Sequence, residues 1–312
     1  MKVIFFGTGE FGLPALKFLK DSSHTLLGVV TSPDKPRGRN LKRGFSPVKQ
    51  WAADQHISLF QWQSLKTEEP RKILKNACAE VFAVADYGFI LPEEILSIPH
   101  KLCLNIHASL LPRYRGAAPV QWAIMNGETV TGITIFKMSA KLDAGEILLQ
   151  KKEKIRPEDD SVSLEKRLSE TGGAALIEAL KQVEHGLLSL TPQDDKLASQ
   201  ARKITKEDGR LDWHLEPELI RNRVRALLPW PKCYTFYEGK RLVIAEVTVS
   251  GEHTPESILP GTVVEASASK GLFVTASGGI LEIKKIQLEG RKMLSSNEFL
   301  KGFSLRRGSV LA

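Results

Sequence analysis

The stretch from Leu104 to Ile147, LNIHASLLPRYRGAAPVQWAIMNGETVTGITIFKMSAKLDAGEI, limits the possible folds of this chain more than any other part of it. It opens as a short apolar strand ending in Asn105 and His107 and breaks at Pro112 and Gly116. A helical run follows over Ala117 to Asn126, then the alternating strand GITIFKM, then a loop carrying Asp143. Strand-length apolar runs flanking a helical run predict neighbouring strands of one α/β sheet, and connections at strand ends are where open sheets carry their catalytic groups. Taken singly, Asn105 reads as a turn former, His107 as a satisfied structural imidazole and Asp143 as an Asx-turn residue. Taken together they place an amide, an imidazole and a carboxylate around a Gly- and Pro-bearing loop with room for a flat ligand.

The string N-x-H-x-S-L-L-P-x-x-x-G followed by D-x-G resembles the signature of the folate-dependent formyltransferases. It matches at Asn105, His107, Ser109, Leu110, Leu111, Pro112, Gly116, Asp143 and Gly145. The resemblance implies catalytic roles for Asn105, His107 and Asp143, and contact of Ser109, Leu110, Leu111 and Pro112 with the co-substrate 10-formyltetrahydrofolate. The segment A-x-Y-G-x-I-L-P resembles the family's pterin-pocket lining, which adds Tyr87 and Gly88 to the folate-binding set. In two places the pattern departs from the family's habit: Lys141 stands where Gly is common and Ser139 where Asp often follows Met.

The first residues, KVIFFGTGEFG, read as a strand, a glycine turn and a helix start, and Gly7, Gly9 and Gly12 satisfy G-x-G-x-x-G. That string raises a rival reading, an NAD-dependent oxidoreductase. A dinucleotide fingerprint also needs an acidic residue ending the second strand. Here Asp34 lies beyond Pro33, outside LLGVVT, so a tight β–α turn is the favoured reading. The formyltransferases usually carry Pro where Gly9 stands.

A long basic loop follows, TSPDKPRGRNLKRGFSPVK, and loops of that length are usually functional or disordered. Short β runs alternating with helices then continue to a helix over Ser161 to His185, whose apolar residues keep helical spacing. The prediction is a Rossmann-like α/β domain over residues 1–188, a mostly parallel sheet with helices on both faces. Residues 189–203 lose apolar periodicity and read as a linker. Residues 204–312 hold short strands between Gly turns and predict a small C-terminal OB-like β-barrel.

Charge points to the partner. The chain of 312 residues carries a formal +8. Residues 201–312 hold 18 Lys/Arg against 13 Asp/Glu, so +5 of the excess lies in the last third and favours a polyanion there. Within the formyltransferases, the basic loop with SPVK, the KITK segment and the PWP segment resemble those members that act on initiator methionyl-tRNA. By that resemblance Arg39 serves the acceptor end, and Lys42, Arg43, Lys203 and Lys206 join it in binding tRNA. Members acting on nucleotide-sugar amines share the core and are the runner-up; a non-catalytic nucleic-acid module would explain the basic barrel but not the Asn–His–Asp set.

Formyl transfer to an amine proceeds through a tetrahedral species with a developing oxyanion. The attacking α-amine is partly neutral near pH 7, since such groups titrate around 7.7–8.0, so neither a protein nucleophile nor a metal is required. Asn105 suits the oxyanion, His107 suits proton transfer, and Asp143 suits orienting His107 or a proton-carrying water. The three cysteines, Cys78, Cys103 and Cys233, are scattered and suggest neither zinc nor disulfides. No apolar run reaches membrane-spanning length, so the expectation is a monomeric cytoplasmic enzyme with no membrane partner.

Overall fold

The computed structural model of the protein describes residues 1–34, 36–37, 42–251 and 257–312. The chain divides into two units, one gathering residues 1–119, 130–154 and 165–201, the other residues 120–129, 155–164 and 202–312.

In chain order the strands of the first unit are β1 (Lys2–Gly7), β2 (Thr25–Val30), β3 (Pro36–Arg37), β4 (Lys42–Arg43), β5 (Leu59–Phe60), β6 (Val81–Ala85), β7 (Leu102–His107), β8 (Val130–Lys137) and β9 (Ile147–Lys154). Seven of them form one sheet in the order β5-β2-β1-β6-β7-β8-β9, and β3 pairs with β4. Pairing is parallel from β5 through β7 and antiparallel where β8 and β9 add to the edge. The apolar runs VIFF of β1 and VFAVA of β6 are wholly buried, as strands covered on both faces must be. At the edge, the QKKEK end of β9 alternates in burial, with Lys152 and Lys154 exposed and Lys151 half-buried on the other face.

The helices that follow in the chain are α1 (Leu13–Lys20), α2 (Pro47–Asp54), α3 (Glu68–Asn76), α4 (Glu93–Leu96), α5 (Pro119–Met125) and α6 (Ser161–Glu184). Local chemistry sets the start of α2. Ser46 caps α2 by accepting from Lys49 N at 3.1 Å, with Pro47 in the first turn. On α6, Leu168, Ala175, Leu176, Ala179, Leu180 and Val183 form the buried stripe. The same helix lies close on β7: a Cβ at Gly172 would stand 2.8 Å from Ile106 Cγ2. Because side chains alternate along a strand, Asn105 and His107 point away from the face on which Ile106 meets α6.

Strand order reverses between β1 and β6. In such sheets the crevice beyond the carboxyl ends of the strands at the switch point receives the ligand. Gly7, Ala85 and His107 end β1, β6 and β7 at that edge.

The second unit holds β10 (Cys233–Tyr237), β11 (Lys240–Val249), β12 (Val263–Ser267), β13 (Gly271–Ala276), β14 (Gly279–Leu288) and β15 (Leu294–Ser295), with α7 (Pro217–Ala226) and α8 (Ser296–Gly302). Its strands run antiparallel along the path β10-β11-β14-β13-β12, with β15 against β14. Irregularities at Ile244–Val247 and at Val263–Glu265 interrupt the two-residue repeat, and bulges of this kind bend and coil long strands as a small barrel requires. Ser295 and Glu298 form a reciprocal capping box on α8. Among the described residues no helix is long and apolar enough to cross a membrane, and the three cysteines are free.

Candidate active site

His107 ends β7, and its imidazole is committed at one nitrogen. Nε2 donates to the carbonyl of Tyr114 at 2.9 Å, because a carbonyl only accepts. The other nitrogen, Nδ1, faces Asp143 Oδ2 at 3.7 Å, with both side chains largely buried. In the neutral ring Nδ1 turns a lone pair toward the carboxylate, whereas an imidazolium there would face it as an ion pair. Phe136 of β8 closes one side of the ring edge-on at 6.4 Å.

Asp143 sits in the left-handed region at φ +48° and accepts from Gly116 N at 2.8 Å through Oδ2. Its loop turns sharply back onto β8, and Gly145 is needed there because a Cβ would stand 1.8 Å from the carbonyl of Lys137. Asn105, two residues before His107, lies on the same face of β7. Its half-buried side-chain amide bonds to none of the described residues.

The SLLP turn is held from the antiparallel edge of the sheet. Ser109 is fully buried and donates to the carbonyl of Arg113 at 2.6 Å. Thr134 of β8 donates to Ser109 O at 2.6 Å and accepts from Leu111 N at 3.1 Å and from Gln150 Nε2 at 2.9 Å. Gln150 of β9 also donates to Leu111 O at 2.9 Å. Sequence reasoning missed both Thr134 and Gln150. A threonine amid the apolar run of GITIF was the available signal, since a polar group destined for burial needs partners; Gln150 carried none. Leu111 is buried, Leu110 and Pro112 are half-buried, and the Leu111–Pro112 bond is cis.

Tyr87 and Gly88 follow β6. The Tyr87 ring packs edge-on against Phe6 at 5.5 Å, burial pushes its phenol up to about 12, and its hydroxyl oxygen is buried without a partner among the described residues. Asp86, just before it, is reached by solvent yet so surrounded by protein that desolvation raises its pKa against the opposing hydrogen bond from Gly9 N–H.

Of the basic candidates, Arg39 lies outside the described residues, while Lys42 and Arg43 form β4. The feet of that segment are tied together: Lys49 Nζ reaches Asp34 Oδ2 at 2.5 Å and Gln61 Oε1 at 2.9 Å, and Gln61 donates to Ser32 O at 2.8 Å. Lys203 and Lys206 stand exposed in the second unit on a turn closed by Asp208. That carboxylate receives a guanidinium fork from Arg202 at 2.8 and 2.5 Å and the Thr205 N–H at 2.8 Å. Chiefly through Arg202, its pKa falls to about 2.

Comparison with known proteins bears on this arrangement. The formyl transferase family model matches residues 1–180, and that of the formyl transferase C-terminal domain matches residues 203–304. The chain belongs to the formyl transferase family. Among formyl transferases, the methionyl-tRNA formyltransferase of Caldanaerobacter subterraneus is 44% identical over 314 residues, covering 100% of both chains. That of Geobacter sulfurreducens is 42% identical over 311 residues, covering 100% of this chain and 96% of its own. Among solved structures, the N-formyltransferase from Helicobacter canadensis in complex with folinic acid and dTDP-3-aminofucose superposes with a TM-score of 0.69 at 17% identity, covering 91% of this chain and 98% of that one. Methionyl-tRNA formyltransferase from Clostridium thermocellum gives 0.56 at 17% identity, covering 81% and 95%. At such identities these two likenesses speak to the fold, a mostly parallel sheet followed by a small barrel-like domain.

Proposed function

We propose that this formyl transferase moves the formyl group of 10-formyltetrahydrofolate to the α-amino group of methionyl-initiator tRNA, giving N-formylmethionyl-tRNA for translation initiation. The observation that carries the reading is end-to-end similarity: relatives named methionyl-tRNA formyltransferase match the whole chain, second unit included.

The donor supplies an activated formyl carbon, and the site suits it. Tyr87 and Gly88 follow β6, and the turn of Leu110, Leu111 and Pro112 follows β7, the strand paired with β6, so both segments leave the same end of adjacent strands. A flat heteroaromatic ring suits a crevice between two such turns.

The protein's work is electrostatic and positional. The Asn105 amide donates to the formyl oxygen as negative charge develops there, a contribution of order 10²–10³ in rate. His107 Nδ1 takes a proton as the acceptor amine forms its bond to carbon and returns it to the departing nitrogen, work of order 10²–10⁴. Nε2 keeps its proton throughout, because the Tyr114 carbonyl holds it. Asp143 stabilises the imidazolium that forms between the two transfers. Arg39, Lys42, Arg43, Lys203 and Lys206 carry the phosphates of the tRNA.

Sugar N-formyltransferases share this architecture, so acceptor choice is the point to test. Purified protein with 10-formyltetrahydrofolate is offered charged initiator tRNA and an amino-sugar nucleotide in parallel. Formylation of the tRNA alone is the expected result; formylation of the sugar alone overturns the reading.

A further inference from the structure

We infer that Gln193 is a positioning residue for the reaction, an amide staple that fixes the Asp143 loop and through it the imidazole of His107. The inference rests on the reading of Asn105, His107 and Asp143 as the catalytic centre.

Gln193 belongs to a stretch of polar, mostly exposed residues, PQDDKLAS, yet is itself half-buried. Its side chain uses its entire hydrogen-bonding capacity. Nε2 donates to the carbonyl of Asp143 at 2.9 Å and to that of Gly145 at 2.7 Å. Oε1 accepts from Arg115 Nε at 3.0 Å and Nη2 at 2.8 Å. Two donors and two lone pairs are thereby satisfied, so the amide has one orientation; turned over, it would set its oxygen against two carbonyl oxygens. Arg115 is 8% exposed and is locked as well, through Nη2 to Asp195 Oδ1 at 2.8 Å and through its backbone to Ser199 and Ala201.

The consequence reaches the imidazole by two routes. Asp143 sits at a positive φ, a region that aspartate enters more readily than most residues and that its surroundings here hold fixed. Gln193 grips the carbonyl of that residue and of the glycine two further on, while Gly116 grips its carboxylate. Meanwhile Ser199 Oγ accepts from Tyr114 N at 2.9 Å, steadying the residue whose carbonyl holds His107 Nε2. Residues 191–201 thus run as a strap across both loops, starting with the mutual bonds of Thr191 and Ile147 at 2.8 Å. Gln193 is where the strap touches the loop of Asp143.

Gln193→Glu separates this role from packing. Glutamate keeps the volume and an acceptor for Arg115, but removes both donors and faces the Asp143 and Gly145 carbonyls with a charge. Displacing a catalytic group by about an ångström is worth about 10²-fold in rate. The expectation for Gln193→Glu is a kcat loss of about 10–100-fold with KM for tRNA and for folate within about threefold of the parent. In the Asp143→Asn background the same change costs less than about threefold, since there is no longer a carboxylate to position. Should Gln193→Glu melt below the assay temperature, Gln193→Met serves in its place under the same criteria. The inference is overturned by a loss residing in KM, by a full additional loss in the Asp143→Asn background, or by unchanged kcat in an enzyme that Asp143→Asn cripples. Full activity of Asp143→Asn itself would instead remove the catalytic reading on which the inference stands.

Discussion

The carboxylate of Asp86 fills the space that a side chain at position 9 would occupy: a Cβ built on Gly9 would stand 1.8 Å from Asp86 Oδ2. The Gly9 N–H donates to the same carboxylate, and Thr8 N donates to the Asp86 carbonyl at 3.0 Å. The third position of the G-x-G string is therefore glycine because β6 is followed by an aspartate that folds over the first turn. That geometry also speaks against the dinucleotide reading. A pyrophosphate would need the N–H that Asp86 already takes, and would meet a negative charge there. NAD and NADP are expected to leave the melting temperature unchanged in a thermal-shift scan that responds to a folate analogue.

The same pair yields a double-mutant cycle. Gly9→Pro installs the residue usual in the family, but here it removes the donor to Asp86 and overpacks the turn, at about 1–3 kcal/mol. Asp86→Ala clears the space. The double variant is expected to recover most of the loss, with a coupling of about 1 kcal/mol or more in denaturant unfolding. Simple additivity would mean that the two residues do not compete for one volume.

On the proposed catalytic reading, Asn105→Ala is expected to lower kcat by about 10²–10³ and His107→Ala by about 10²–10⁴. Neither should weaken the folate analogue more than severalfold. Groups that act in one transition state are non-additive, so on this reading Asn105→Ala combined with His107→Ala should cost far less than the product of the single effects. Steady-state and single-turnover kinetics read both numbers, and near-normal kcat in His107→Ala would remove the imidazole from the mechanism.

Much of this architecture was legible beforehand because it is local. The helix read over Ser161 to His185 runs Ser161–Glu184, and the strand read over Val81 to Ala85 keeps those bounds. Asn105 and His107 share a face because two residues separate same-side positions in any strand. What stayed illegible depends on distant partners. CYTFY after PWPK becomes β10 only by pairing with β11, and ILLQKKEK becomes an edge strand only because β8 stands beside it. Gln193 lies in a segment with no periodicity, and its value comes from Asp143, Gly145 and Arg115, far away in sequence. Residues 189–203 read as a linker by composition alone, which says nothing about what their side chains reach.

A pH dependence follows from Glu165 on α6. Burial first, then the negative charges of Asp86 and Glu10, raise its pKa above the ordinary 4.5. A carboxyl raised on folding contributes stability below its unfolded pKa and loses it as pH rises through the folded value. At neutral pH the charged form is thus a burden on the native state. Glu165→Gln should raise the melting temperature near pH 7 and make little difference below about pH 4, where the carboxyl is protonated in both states. Melting curves across that window decide it; a gain that persisted undiminished in acid would point to packing instead of charge.

The exposed lysines of the second unit supply a prediction about the tRNA. Arg202 stacks over the Trp122 ring at 5.1 Å and forks onto Asp208, while the Trp122 indole donates to Arg202 O at 2.8 Å. With the Asp208 carboxyl held to about 2, the fork survives any mildly acidic buffer; it is present above the unfolded carboxyl pKa of 3.8 and fails only as pH falls toward 2. The Asp208 contacts fix the turn that carries Lys203 and Lys206, and on the proposed reading that would spare part of the ordering cost of binding tRNA. Each phosphate contact contributes about 0.7–0.9 to the slope of log K against log salt. The double change Lys203→Ala with Lys206→Ala should therefore flatten that slope by about 1.4–1.8, if each lysine meets one phosphate, and leave folate binding intact. Asp208→Asn keeps both lysines but loosens their turn, so it should weaken tRNA binding while the slope stays at its parental value. Filter binding between 50 and 200 mM salt distinguishes the two effects. An unchanged slope in the double variant would place the tRNA phosphates elsewhere on the protein.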